Sequence, residues 1–295
     1  MSLFETKKRW TLDGGFGSSL EELKIDIGNN ALWSFDSVID EPDAVHRVHR
    51  NFIEAGANVI LTNTYHAPVE ILRKARGFSE DEAVEKITAA VKIAEEEAEK
   101  STSKVFVVGS IGPYAVVRRD GSEYDGSYVY STPVDIIHEY YRKQMTALLS
   151  TNLQYFAVET VPTLREAEIA LQAWEQVPDA EGKKLWISFN CKKLSKENSV
   201  SALGLNCTMP YDILSLISSA RPFANGKPFV TYPNHGETYD LSTQSFNDNG
   251  PDRFPEYIDV IPKLAELGVQ IFGGCCRVNS THIRQISDRV QEISE

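Results

Sequence analysis

Eight short apolar runs recur along the chain, each β-rich at its start and polar or glycine-rich at its end: WTLDGG, NVILTNTY, KVFVVGSIG, YFAVET, LWISFNC, ALGLNCT, PFVTYPN and VQIFGGCC. Each reads as a strand. Between most of them the apolar positions change to helical spacing, as in Ala83, Ile87, Ala90 and Ala94 of the second connection, or Tyr257, Ile258, Ile261 and Leu264 of the seventh. No Pro/Ser/Gly-rich linker divides the series. The alternation predicts an α/β fold, a single (β/α)8 TIM barrel over residues 1–295, although a doubly wound sheet shares the same alternation. One connection breaks the pattern. Only KKLSKENSVS, about ten residues, separates LWISFNC from ALGLNCT, and a parallel crossover with its helix needs at least about 10–12. The fifth helix is therefore expected to be short or missing, and we favour a segment absent from this sequence over a degenerate helix.

Composition narrows the chemistry. A chain of 295 residues, 42% hydrophobic and 24% charged, is long enough to bury a large core. Its net charge of -12 repels phosphate backbones and anionic lipid, which argues against nucleic acid and membranes as partners. No apolar run reaches about 18 residues, and the start MSLFETKKRW lacks the apolar stretch of a signal peptide. A cytoplasmic, reducing setting is expected, where four cysteines read as free thiols or metal ligands rather than as a disulfide framework.

In a barrel of this kind the active site is built at the C-terminal ends of the strands. Those ends carry Asp13, Gly14 and Gly15; Asn63, Thr64, Tyr65 and His66; Ser110 and Gly112; Glu159 and Thr160; Asn190 and Cys191; Asn206, Cys207 and Thr208; Asn234 and His235; and Cys275 with Cys276. All four cysteines fall at such ends. The sixth and eighth strands have one strand between them, so Cys207 is expected to face Cys275 and Cys276 across the barrel mouth. Three thiolates suit zinc and leave its fourth position open, as in a catalytic site. Gly273 and Gly274 are expected to let the backbone turn tightly enough for adjacent sulfurs to reach one ion. Small buried cysteines packed as hydrophobes, or a strained vicinal disulfide, fit the bare CC pair as well. Cys191 reads as packing or outer support, and His66 and His235 as pocket lining.

The segments LDGGFGSSLE, GANVILTNTYHA, GSIGP with DGSEYDGSY, ETVPTLREAE, GLNCT, YPNHGETYD and GGCCR, in this order over residues 12–277, closely resemble the homocysteine S-methyltransferase family of zinc-dependent barrels. The resemblance implies that Cys207, Cys275 and Cys276 ligate one Zn2+ whose open position takes the homocysteine sulfur, which then accepts a methyl group to give methionine. It implies too that Glu159 pairs with the α-ammonium of homocysteine and that Asp13 with Gly14 holds the same end. Asn206 is positioned to orient the loop of Cys207, Thr64 is a further candidate in the substrate pocket, and DGSEYDGSY reads as a lid or an ordinary surface loop. A strand-end Asp-Gly-Gly is often only a turn.

For the donor, betaine-using relatives have a tyrosine after the strand-four glutamate and a long C-terminal extension, whereas Thr160 follows Glu159 here and the chain ends at Glu295. Trp33 resembles the subgroup that uses S-methylmethionine or S-adenosylmethionine, where an aromatic face attracts the sulfonium. The expected partners are thus these small molecules, and the expected state is a monomer. The alternatives are a betaine-dependent enzyme, a selenocysteine or selenohomocysteine methyltransferase, a non-catalytic zinc- or thiol-binding barrel, and a zinc hydrolase.

Overall fold

In a computed structural model, which describes residues 3–4, 8–28, 31–190, 200–240, 245–247 and 252–294, the apolar runs form parallel strands. These are β1 (Trp10–Thr11), β2 (Val59–Leu61), β3 (Phe106–Ile111), β4 (Tyr155–Val161), β5 (Lys184–Phe189), β6 (Ala202–Asn206) and β7 (Phe229–Tyr232). A small antiparallel ladder of β8 (Thr238–Asp240) with β9 (Ser245–Asn247) follows, and β10 (Val269–Phe272) is the eighth barrel strand. The sheet order is β1-β10-β7-β6-β5-β4-β3-β2, and a parallel bridge from Leu12 to Val59 brings β1 back to β2. The result is a (β/α)8 barrel. The ladder was not foreseen, because its polar stretch has no apolar periodicity to signal a strand.

Helices wrap the outside. The first connection contains α1 (Phe16–Glu22), α2 (Asp36–Asp40) and α3 (Pro42–Glu54), and the second α4 (Val69–Arg76) and α5 (Glu80–Glu99). Next come α6 (Ala115–Arg118) and α7 (Val134–Leu149), then α8 (Leu164–Gln176), α9 (Ile213–Ala220), α10 (Phe254–Glu266) and α11 (Ser280–Glu292). Ser79 caps α5 through a capping box with Glu82, which fixes where that long helix starts. The expectations for the fifth helix, for an absent segment and for Cys191 fall on residues 191–199, outside the described residues. Among the described residues no helix is long and apolar enough to cross a membrane.

The two-residue period of the strands splits the apolar residues into two cores. Trp10, Leu12, Val59, Phe106, Val108, Ala157, Trp186, Val230 and Ile271 pack together inside the barrel. Their alternates Ile60, Phe156, Val158, Leu185, Ile187, Leu203, Leu205 and Phe229 face the helices. At the N-terminal ends of the strands Leu3 closes the lumen, donating from its N to Tyr155 Oη at 3.0 Å and accepting from Trp10 Nε1 at 3.1 Å. The opposite end of the lumen stays polar.

Candidate active site

Continuing the inward alternation one step beyond the apolar lumen places Ser110 above Val108, Glu159 above Ala157 and Tyr232 above Val230. These three meet. Ser110 Oγ donates to Glu159 Oε1, Tyr232 adds a second hydrogen bond, and burial pushes the Glu159 carboxyl up to about 7. A relay of hydroxyls fixes Ser110: Thr62 Oγ1 accepts from Ser110 N at 3.0 Å and lies 2.7 Å from Thr64 Oγ1, which donates to Ser110 O at 2.7 Å. The Thr64 hydroxyl is thereby engaged with the ends of β2 and β3.

Asp13, immediately past the inward Leu12, is buried. Its Oδ2 accepts from Leu61 N at 2.8 Å, whereas Oδ1 is buried with no hydrogen-bond partner. Burial foremost, and then the nearby Glu159, push its carboxyl well above the usual range. An orphaned buried carboxylate oxygen is costly, and a ligand donor is what would satisfy it.

The three cysteines come together from two strand ends. Because β7 lies between β6 and β10, the segments after β6 and β10 both bond to the segment around β7: Cys207 N donates to Tyr232 O at 3.3 Å, Cys275 N to Pro233 O at 2.8 Å, and His235 N to Cys276 O at 3.0 Å. The sulfurs of Cys207, Cys275 and Cys276 all lie within 4.8 Å of one another, with 4.0 Å between Cys275 and Cys276. Three ligands at about 2.3 Å around a tetrahedral zinc stand roughly 3.8 Å apart, so the spacing fits such an ion. Hydrogen bonds from Cys207 and Cys275 push the Cys276 thiol well down, while contacts with Cys275 and Cys276 push Cys207 well up. The opposed directions show that the three thiols interact strongly, and ionising all of them together calls for a cation.

The glycines beside the thiols serve a different purpose from the one expected. Neither Gly273 nor Gly274 has a positive φ; that conformation falls on Cys207 (φ 51°) and Arg277 (φ 66°). Glycine is needed for close approach. A Cβ on Gly274 would stand 2.0 Å from Val278 Cγ1, one on Gly273 2.6 Å from Leu12 Cβ, and one on Gly14 2.2 Å from Val278 O. The turn after β1 and the cysteine loop are thus packed backbone to backbone, which brings Asp13 beside the thiols: Gly274 N donates to Asp13 O at 3.1 Å.

Around this centre Asn206 is buried against Thr160 and Cys207, with Nδ2 3.4 Å from Cys207 Sγ. Trp33 stacks on His66 at 5.4 Å with planes 10° apart, and Tyr65 meets the same imidazole edge-on at 4.7 Å. Burial, then Arg119, lowers His66 to about 3, so it is neutral. The His235 imidazole stacks on Phe254 at 5.7 Å and lies 3.1 Å from Glu237, outside the three-thiol group, although its backbone N bonds to Cys276 O. Ser110 stood among the strand ends read from the sequence; Tyr232 did not, although its two-residue spacing from Val230 marks it as inward. In the 120–128 loop, burial first and then the Asp120 and Cys276 charges raise the Glu123 carboxyl, and burial, then the Cys276 charge, act in the same direction on Tyr124. No periodic signal marks a loop residue of that kind.

The chain matches the family model described as homocysteine S-methyltransferase over residues 10–290. It is 32% identical over 310 residues to the homocysteine S-methyltransferase YbgG of Bacillus subtilis, covering 97% of this chain and 95% of that protein. It is 29% identical over 334 residues to the betaine-homocysteine S-methyltransferase of Drosophila melanogaster, covering 98% and 99%. Among solved structures, the metallated form of the homocysteine methyltransferase MmuM from Escherichia coli superposes with a TM-score of 0.78 at 26% identity, covering 97% of each chain.

Proposed function

This chain belongs to the homocysteine S-methyltransferase family and is an enzyme of that class; we propose that it moves a methyl group from S-methylmethionine or S-adenosylmethionine to L-homocysteine, with one zinc ion held by Cys207, Cys275 and Cys276. The observation that carries the zinc assignment is the convergence of three sulfurs within 4.8 Å at the mouth of the barrel. Bound there, zinc supplies the charge that keeps a thiol deprotonated near neutral pH.

The residues around the thiols hold the other end of the amino acid. Glu159 and the unpartnered Asp13 Oδ1 present two acceptors to an α-ammonium, with Gly14 leaving room for the Asp13 turn. Asn206 holds Cys207, and Thr64 acts at one remove by fixing Ser110 against Glu159. In the transfer, the sulfonium S–CH3 bond breaks as the bond to the homocysteine sulfur forms, and the donor leaves as a neutral thioether. No general acid is needed. Orientation contributes much of the rate when the reacting atoms are held at about 3–3.5 Å.

Trp33 supports a cationic donor, because an aromatic face attracts a sulfonium. Thr160, in place of a tyrosine after Glu159, supports the same choice over betaine. A reducing, cytoplasmic setting suits thiols that must stay unoxidised. We place the whole chain in one barrel unit, acting as a monomer on small molecules, which light scattering after gel filtration tests directly.

The deciding experiment is methionine formation by zinc-loaded protein from homocysteine with S-methylmethionine, S-adenosylmethionine or betaine, beside Cys276→Ala. Turnover with a sulfonium donor, lost together with zinc in the variant, is expected. Turnover with betaine alone overturns the donor assignment, and undiminished turnover by the zinc-free variant overturns the metal assignment.

A further inference from the structure

Glu166, in the first turn of α8, is fully buried and takes no part in the chemistry above. Three donors from two different segments converge on it. Tyr114 N donates to Oε1 at 2.8 Å, Tyr141 Oη donates to Oε1 at 3.0 Å, and Tyr128 Oη donates to Oε2. Tyr141 belongs to α7, in the helical layer, whereas Tyr114 and Tyr128 stand at the two ends of the loop between β3 and α7.

That loop follows β3, so it leaves the barrel at the same end as the segments after β6 and β10 that carry the thiols. Its start is packed on the end of β2, where a Cβ on Gly112 would stand 2.6 Å from Tyr65 O, and Glu123 and Tyr124 lie in its middle. The rest of the loop is locked to the same region as Glu166. Gly126 N closes onto Ser122 O at 2.8 Å, and a Cβ on Gly126 would stand 2.5 Å from Thr163 Cγ2, at the turn leading into α8. Tyr140 Oη reaches Gly112 O at 2.9 Å, holding the entry to the loop. Between these anchors Arg118 and Arg119 are exposed.

Building on the function proposed above, we propose that Glu166 is a positioning residue for methyl transfer, which acts through Tyr128 and Tyr114 to hold the loop carrying Glu123 and Tyr124 over the thiol cluster. Its carboxyl is suited to this. One buried group with two oxygens binds both ends of the loop and an outer helix at once, so the loop is referenced to the frame that also positions Glu159, which two residues of β4 and a short turn separate from α8. A loosened loop would leave the thiols intact and still impair closure over the donor.

The test compares two conservative variants that each remove one hydroxyl from the same carboxyl. Glu166→Ala strands three donors and leaves a cavity, so it is prone to misfolding; Tyr128→Phe and Tyr141→Phe avoid that. We expect Tyr128→Phe to speed trypsin cleavage after Arg118 and Arg119 about fivefold and to raise the donor KM about five- to tenfold, the range of one good hydrogen bond. Zinc content and the KM for homocysteine stay unchanged. Tyr141→Phe leaves both readouts near wild type. Equal effects from the two variants, or none from Tyr128→Phe, overturn the proposal. If the wild-type protein transfers no methyl group from any donor, the function proposed above fails on that result, while the trypsin comparison still decides whether Glu166 holds the loop.

Discussion

Asn206 clasps Thr160 by both arms of its amide: Oδ1 accepts from Thr160 N at 2.9 Å, and Nδ2 donates to Thr160 Oγ1 at 2.7 Å. Thr160 sits at φ 58°, where the register of β4 against β5 shifts, a conformation a β-branched residue enters only when its surroundings hold it there. The clasp thereby joins the end of β4, just past Glu159, to the end of β6, just before Cys207.

Asn206→Ala removes both bonds and leaves the buried Thr160 N without its partner. The expected loss is about 2–4 kcal/mol, because an unsatisfied buried donor costs more than the bond itself contributed. Urea denaturation of the zinc-free protein measures it. The variant is also expected to bind zinc about tenfold more weakly, read by competition with a chelating dye, since support around a metal ligand is worth about 10- to 100-fold in affinity.

Glu159 makes stability depend on pH. Its carboxyl titrates at about 7 in the folded chain against 4.5 for the unperturbed group, so the unfolded chain gives up this proton first. The contribution of the buried, protonated form is complete below about pH 4.5 and is lost as the pH rises through about 7. The loss amounts to roughly 3 kcal/mol. Denaturation of zinc-free, substrate-free protein from pH 4.5 to 8 is expected to show this decline in wild type and a flatter profile in Glu159→Gln. The same variant is expected to bind homocysteine at least about tenfold more weakly above pH 7, where the carboxylate would otherwise meet the ammonium.

Close packing at the cysteine loop gives a third test. A methyl group on Gly274 would lie 2.0 Å from Val278 Cγ1, and one on Gly14 2.2 Å from a carbonyl oxygen that cannot rotate away. Neither variant can relax by a change of rotamer, because Val278 Cβ itself would stand 2.4 Å from the carbon added at Gly274 and the Val278 carbonyl 2.2 Å from the one added at Gly14, so both must move backbone. Each should destabilise by about 1–3 kcal/mol or more. Zinc stoichiometry after gel filtration should fall in both.

The barrel was legible because eight apolar runs and their two-residue period are properties of the local sequence, and the same period leads from Val108 to Ser110 and from Ala157 to Glu159. The meeting of Cys207 with Cys275 and Cys276 was legible only through strand order, since 68 positions separate the first pair in sequence. What stayed hidden was side-chain traffic between loops. Nothing in the spacing of Thr160 and Asn206, or of Glu166 and Tyr128, signals their hydrogen bonds, because loop paths follow from tertiary packing. The glycines illustrate the same limit: their presence beside the cysteines was visible, but the need for close approach became clear only once Leu12 and Val278 stood against them.

Under the donor assignment proposed above, Trp33 is the residue expected to meet the sulfonium. It too has a positive φ, 46°, and one face of its indole is occupied by the neutral His66 ring, so the pair forms a rigid aromatic wall rather than a charged one. A sulfonium is stabilised by such a wall by about 0.5–2 kcal/mol, and a neutral amino acid much less. Trp33→Ala is therefore expected to raise the KM for the sulfonium donor by roughly 3- to 30-fold with little change in the KM for homocysteine, and Trp33→Phe to fall between. Because His66 is already neutral, the donor KM should show no transition between pH 5 and 9 that His66→Phe abolishes. Equal increases in both Michaelis constants would instead assign Trp33 to holding the pocket in shape.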